Sequence, residues 1–228
     1  MALTRGIAAV MIDLDGTLLD TVPDLAAAAE RMLVALGLRV CTQEDIRSFV
    51  GKGIPNLVAR CLAARAGAAR APALQAEALA LYYDFYAEES GRRSAVYPGV
   101  LDGLAQFRAM QLRLACVTNK AARFTVPLLE QKGLAPWFDL VVSGDTLPRK
   151  KPDPMQLAHV CAEFGLAPAQ VLLIGDSVND ALAARAAGCP VVCVSYGYNE
   201  GGDVHDLDCD AIVGALSEAA DILQSIRS

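Results

Sequence analysis

Four short apolar runs constrain this chain more than any other feature: Ile7 to Ile12, Leu112 to Val117, Leu140 to Val142 and Val171 to Ile174, each ending at polar residues. Near-continuous Val, Ile, Leu and Ala, with little alternation, suits strands covered by helices on both faces, as in a parallel sheet. A fifth run, Val191 to Val194, extends the sheet. Helical patterns fall between the runs, at Val100 to Met110, Pro127 to Lys132 before Gly133, Gln156 to Phe164 before Gly165, and Asp180 to Ala187 before Gly188. The alternation predicts an α/β fold built on a doubly wound parallel sheet.

The stretch from Thr21 to Arg92 breaks this rhythm, holding helical segments and no convincing strand. It predicts a helical insertion over residues 20–92, with a core made of residues 1–19 and 93–228. A length of 228 residues accommodates one core with a smaller inserted unit. Thr21 followed by Asp24 reads as something close to a capping box, ahead of an apolar face through Leu25, Ala28, Ala29, Met32, Leu33 and Leu36. Leu57, Cys61, Leu62, Leu74, Ala78 and Leu81 keep helical spacing around a break at Gly67 and Pro72, and Tyr82, Tyr83, Phe85 and Tyr86 read as core of this unit.

Composition excludes several classes. The hydrophobic fraction of 54% is inflated by alanine, and no run approaches the roughly 20 residues needed to cross a bilayer. Arg5 precedes an apolar stretch as in a signal peptide, but Asp13 and Asp15 interrupt it, so the expected location is cytoplasmic, without a membrane partner. A net charge of −6 with scattered Lys and Arg argues against a nucleic-acid partner. The seven cysteines read as small buried hydrophobes, and Cys189 with Cys193 lacks the second pair or histidines of a zinc site. Gly51-Lys52-Gly53 lacks the third glycine and the preceding strand of a dinucleotide fingerprint. Nothing in the sequence indicates oligomeric state.

Ligands of a parallel α/β sheet sit at the carboxyl ends of the strands, so the residues that end each run carry the information. The first run ends in Asp13-Leu14-Asp15-Gly16-Thr17, the second in Thr118-Asn119-Lys120 and the fourth in Gly175-Asp176-Ser177-Val178-Asn179-Asp180; Lys151 lies in Arg149-Lys150-Lys151-Pro152-Asp153-Pro154. Residues two apart on a strand share a side, so Asp13 and Asp15 reach one mouth. Crowded carboxylates need a cation or a retained proton. Asp176 adds a third, giving hard oxygen ligands suited to Mg²⁺, while Thr118, Asn119 and Lys151 offer donors to phosphate oxygens. Asp180 is expected to support the loop rather than to bind metal. A calcium loop is excluded, because the glycine stands fourth, not sixth, from Asp13.

These four segments, in this order, resemble the motifs of the haloacid dehalogenase superfamily. Val22-Pro23-Asp24-Leu25, Val50-Gly51-Lys52-Gly53, Tyr97-Pro98-Gly99-Val100, Ser143-Gly144-Asp145-Thr146-Leu147 and Tyr196-Gly197-Tyr198-Asn199 are similar to segments of the bacterial phosphoglycolate phosphatases within it. The resemblance implies Asp13 as nucleophile and Asp15 as acid and base. It also implies Mg²⁺ held by Asp13, the Asp15 backbone carbonyl and Asp176, a phosphoryl group held by Thr118, Asn119 and Lys151, and the helical insertion as a cap. Thr21 replaces the more usual serine, and Met155-Gln156 a second proline step; neither is a catalytic position. The implied substrate is a small phosphorylated metabolite, 2-phosphoglycolate foremost. Its carboxylate calls for a cation such as Lys52, in a glycine turn ahead of a helix that begins at Ile54. A sugar-phosphate phosphatase, a pyrophosphatase and a phosphomutase remain open. A phospho-receiver domain would instead carry adjacent acidic residues after its first strand, a phosphoacceptor on a later one and no insertion.

Overall fold

A computed structural model describes residues 6–227. Arg5, ahead of the first run, lies outside the described residues. The elements are β1 (Ala9–Ile12), β2 (Leu19–Asp20), α1 (Val22–Ala35), α2 (Gln43–Phe49), α3 (Ile54–Ala66), α4 (Ala71–Glu89), β3 (Ala95–Val96), α5 (Val100–Ala109), β4 (Arg113–Val117) and α6 (Ala122–Gln131). They continue with β5 (Leu140–Val142), α7 (Met155–Phe164), β6 (Val171–Gly175), α8 (Val178–Ala187), β7 (Val191–Val194), β8 (Ala211–Val213) and α9 (Leu216–Arg227).

Six strands form a parallel sheet in the order β5-β4-β1-β6-β7-β8, with helices on both faces. The fold is the doubly wound α/β type expected. The apolar runs lack alternation because both faces are covered: Val10, Ile12, Leu114, Cys116, Leu172 and Ile174 pack toward α5, α6 and α9, while Ala9, Met11, Ala115, Val117, Val171 and Leu173 pack toward α7 and α8. β1 pairs with β4 on one side and β6 on the other. The chain leaves β1 in both directions, which opens a crevice at its carboxyl end.

Helices α1 to α4 bury an apolar cluster of their own around Met32, Leu33, Ile46, Leu62 and Tyr82. The break between α3 and α4 falls where Gly67 takes φ +78° and Pro72 enters the first turn of α4. Tyr82 and Tyr86 are fully buried, whereas Tyr83 and Phe85 stand half-buried at the edge. A short antiparallel ribbon, β2 with β3, joins the helical unit to the sheet. Among the described residues no helix is long and apolar enough to cross a membrane.

Two local expectations need correction. Thr21 precedes α1, but its side chain makes no cap bond there; its hydroxyl donates to Asp15 Oδ1 at 2.7 Å. The Tyr198 hydroxyl instead accepts from the Thr21 and Val22 amides, at 2.7 and 3.2 Å. Asp24 turns away to the returning chain and accepts from the amides of Gly91 (2.8 Å), Arg93 (2.7 Å) and Ser94 (3.1 Å) and from the Ser94 hydroxyl. Three unpaired amides offer a buried carboxylate more than one cap bond does. Helix α6 also starts before Pro127, at Ala122: its buried face of Phe124, Thr125, Leu128 and Leu129 outweighs the hydrogen bond lost at the proline.

Candidate active site

The carboxyl ends of β1, β4 and β6 bring Asp13, Asp15, Thr118, Asn119, Lys120 and Asp176 to one cavity of about 200 Å³, which Lys151 also lines. That volume is below the ~300–1,000 Å³ usual for drug-sized ligands and suits a small substrate. Gly16, at φ +90°, turns the chain past Asp176; a Cβ there would stand 2.4 Å from Asp176 Oδ2. The carboxylates are therefore packed against a backbone that admits only glycine.

Lys151 is the hinge of the charge arrangement. Its Nζ is 2.8 Å from Asp13 Oδ1 and 2.7 Å from Asp180 Oδ1, and it donates to the Val117 carbonyl at 2.7 Å. Burial works against its charge, but Asp13 and Asp180 reverse that, and its pKa lies above the usual lysine range. One ammonium cannot neutralise every carboxylate present. Burial pushes Asp13 up to about 8, with Asp180 and Asp176 adding to the rise and Lys151 opposing it. Asp176 rises to about 7 through burial and the Asp180 charge, against the Tyr198 and Asn199 amides that hydrogen-bond it.

Ligand atoms of Asp13, Asp176 and Asp180 lie within 4.8 Å of one another. Three carboxylates against the single Lys151 ammonium leave two formal negative charges. A divalent cation with a preference for oxygen fits that imbalance. Asp180 is committed elsewhere: Oδ1 to Lys151, and Oδ2 to the Ser177 hydroxyl at 2.6 Å and the Ser177 amide. Asp13 Oδ1 faces Lys151 and Asp176 accepts from the Thr17 hydroxyl and the Tyr198 amide, and both line the cavity, where their remaining lone pairs could hold such an ion.

Asp15 belongs to a separate, balanced pair. Lys120 Nζ reaches its oxygens at 2.9 and 3.2 Å, and the Thr21 hydroxyl bonds Oδ1. Thr118 Oγ1 accepts only a local bond from the Lys120 amide, so its own hydroxyl proton can serve an incoming oxygen. Asn119 Nδ2 donates to the carbonyls of Gly51 (3.0 Å) and Lys151 (2.8 Å), which commits both protons of its side-chain amide to holding loops. Lys52 is half-exposed and points to Glu200 Oε2, 2.8 Å away, and its side chain does not line the cavity.

A family signature described as haloacid dehalogenase-like hydrolase matches residues 10–194. The chain belongs to that family. A phosphoglycolate phosphatase of Thiobacillus denitrificans is 55% identical over 214 residues, 94% of each chain. One of Nitrosospira multiformis is 55% identical over 218 residues, 96% of each chain. The crystal structure of a predicted phosphoglycolate phosphatase from Haemophilus somnus matches with a TM-score of 0.90 at 30% identity, covering 97% of this chain and 99% of that one.

Three residues that shape the site of this haloacid dehalogenase-like hydrolase had no role assigned from sequence. Lys120 stands one position beyond Asn119, where only the fold shows that it turns back to Asp15. Tyr198 bonds Asp176 through its amide at 2.6 Å and ties α1 to the sheet through its hydroxyl. Gln156, at the position that departs from the family pattern, is fully buried; it accepts from the Lys151 amide and donates to the carbonyls of Thr118 and Ser143. The departure was the available signal, since a buried glutamine must find such partners.

Proposed function

We propose that this enzyme is a Mg²⁺-dependent phosphatase that hydrolyses 2-phosphoglycolate to glycolate and phosphate through an aspartyl phosphate, an acyl phosphate formed on Asp13. The observation that carries the proposal is the division between two carboxylates at one mouth. Asp13 shares a buried cluster with Asp176 and Lys151, and Asp15 is held apart by Lys120 and Thr21. In the first step an Asp13 oxygen bonds to phosphorus, the bond to the ester oxygen breaks, and Asp15 gives that oxygen its proton. In the second step water attacks the phosphorus, Asp15 takes its proton, and the bond to Asp13 breaks. The Thr118 hydroxyl donates to a phosphoryl oxygen, Lys151 supplies its positive charge beside the phosphoryl group while its protons hold Asp13, Asp180 and the Val117 carbonyl, and the Asn119 side chain pins the loops around them. When bound, Mg²⁺ supplies positive charge opposite those oxygens; Asp13, Asp176 and the Asp15 carbonyl would hold it.

Helices α1 to α4 act as the cap that excludes water and recognises the rest of the substrate. The names of the two relatives that match over nearly the whole chain support 2-phosphoglycolate. The test is a phosphate-release screen over 2-phosphoglycolate, sugar phosphates, nucleotides and pyrophosphate, comparing kcat/KM with and without chelation. Phosphoglycolate is expected to lead, chelation to silence the enzyme and Mg²⁺ to restore it. A sugar phosphate or pyrophosphate ahead by tenfold overturns the substrate, and full activity after exhaustive chelation overturns the metal.

A further inference from the structure

Four lysines surround the mouth, and three have carboxylate partners. Lys151 faces Asp13 and Asp180, Lys120 faces Asp15, and Lys52 faces Glu200. Lys150 pairs with no carboxylate among the described residues, although it lines the cavity. Its Nζ reaches across from the core to the glycine turn of the helical unit, where it donates to the Lys52 carbonyl at 3.1 Å. It also lies 2.8 Å from where a Cβ on Gly53 would stand, so the turn closes on this ammonium because Gly53 has no side chain. The nearby cavity-lining Asp145 is occupied at the start of α6, where it accepts from the Ala122 amide at 2.8 Å.

We propose that Lys150 is a specificity-determining residue that binds a second anionic group, a carboxylate carried on the alkyl portion of the phosphoester. The inference rests on the phosphatase reading above and gives its substrate class a residue. Lys120 pairs with Asp15 and Lys151 with Asp13 and Asp180, so Lys150 is, among the described residues, the lysine of the cavity wall without an ion-pair partner. It faces the glycine turn, at the Lys52 carbonyl and Gly53. A carboxylate there gains an ammonium partner in a confined site, and a neutral alkyl group gains nothing. Lys52, the cation expected from sequence, already has Glu200, and Arg60 lies 3.8 Å from the same carboxylate.

The test compares kcat/KM for 2-phosphoglycolate with that for ethyl phosphate, which replaces the carboxylate by a methyl group, at one ionic strength and with saturating Mg²⁺. Full-length wild type, Lys150→Met, Lys150→Gln, Lys150→Arg, Lys52→Met and Arg149→Met are measured side by side. Arg149→Met removes one positive charge from the neighbouring exposed side chain, which pairs with Asp153. The expected result is that wild type prefers phosphoglycolate and that Lys150→Met and Lys150→Gln lower the preference at least tenfold, mainly through KM. Lys150→Arg should retain it within about threefold, and Arg149→Met should change it less than twofold. A preference unchanged by Lys150→Met and Lys150→Gln overturns the inference while the substrate assignment stands. So does an equal fall for Lys52→Met or Arg149→Met, which would mark a general field effect. A wild type indifferent to the carboxylate overturns the inference and the phosphoglycolate assignment together, and hydrolysis of both esters would leave the phosphatase chemistry intact.

Discussion

The mouth of the sheet and the helical unit above it are stabilised by opposite means. At the mouth Asp13, Asp176, Asp180, Lys120 and Lys151 are buried ionisable groups: the two lysines reach carboxylates, Asp176 accepts from the Tyr198 amide, and the acidic cluster outnumbers its one ammonium. The helical unit encloses Met32, Leu33, Ile46, Leu62 and Tyr82 in ordinary apolar packing, while its ion pairs, such as Arg65 with Asp45, stand at the surface. Two buried carboxylates are exceptions: Asp24, which fastens the returning chain, and Glu89, which pairs with Arg31 and Arg93. The difference separates charge from shape: the groups proposed to react are buried at a cost to folding, and the helical unit is held by apolar burial.

Replacing Asp13 with Asn breaks the comparison most severely. Phosphate release from any ester is expected to fall at least a thousandfold, about 4 kcal/mol of barrier. The metal-free variant should melt no lower than wild type, because the charge removed is one that burial disfavours. Activity above 1% of wild type, or a clear loss of stability without metal, would contradict the role assigned to this carboxylate.

The opposite substitution, Leu62→Ala, tests the helical unit. Leu62 is fully buried in the α1–α4 cluster, and a cavity there should cost about 2–5 kcal/mol. Hydrogen exchange is expected to quicken in α1 to α4 and to stay slow in β1, β4 and β6. Uniform loss of protection across the sheet would show that the two regions unfold as one.

The smallest expected effect concerns pH and metal together. Folding raises Asp13 to about 8 and Asp176 to about 7 from the ordinary aspartate value of 3.8, so between about pH 4 and pH 8 the folded chain retains protons that the unfolded chain has released. Metal-free stability from these groups is therefore greatest at the acid end of that window and falls as pH rises through it. A divalent cation replaces those protons, so the Tm gain on adding Mg²⁺ should be several degrees larger at pH 8 than at pH 5.5. A gain independent of pH would mean that the cation binds away from this cluster.

The apolar runs and the residues that end them were legible in the sequence because both depend on chain order and local period. A strand covered on both faces reads as continuous Val, Ile and Leu, and in a parallel sheet its carboxyl end must lie at the ligand edge. The sequence by itself therefore determined the α/β sheet and a mouth lined by Asp13, Asp15, Thr118, Asn119 and Asp176. Of the short strands, β5 was legible and β2, β3 and β8 were missed: two or three residues show no period, and Leu140-Val141-Val142 was read from its place in the alternation of runs and helices. Partner choice was decided only in three dimensions. Asp24 left the expected cap for amides 67 to 70 residues away, Lys120 turned to Asp15, Lys52 to Glu200, and Lys150 to the cavity without a carboxylate. The physical reason is that lysines share one charge and one reach, so spacing cannot rank them; distance and burial after folding select which is neutralised and which remains for a ligand.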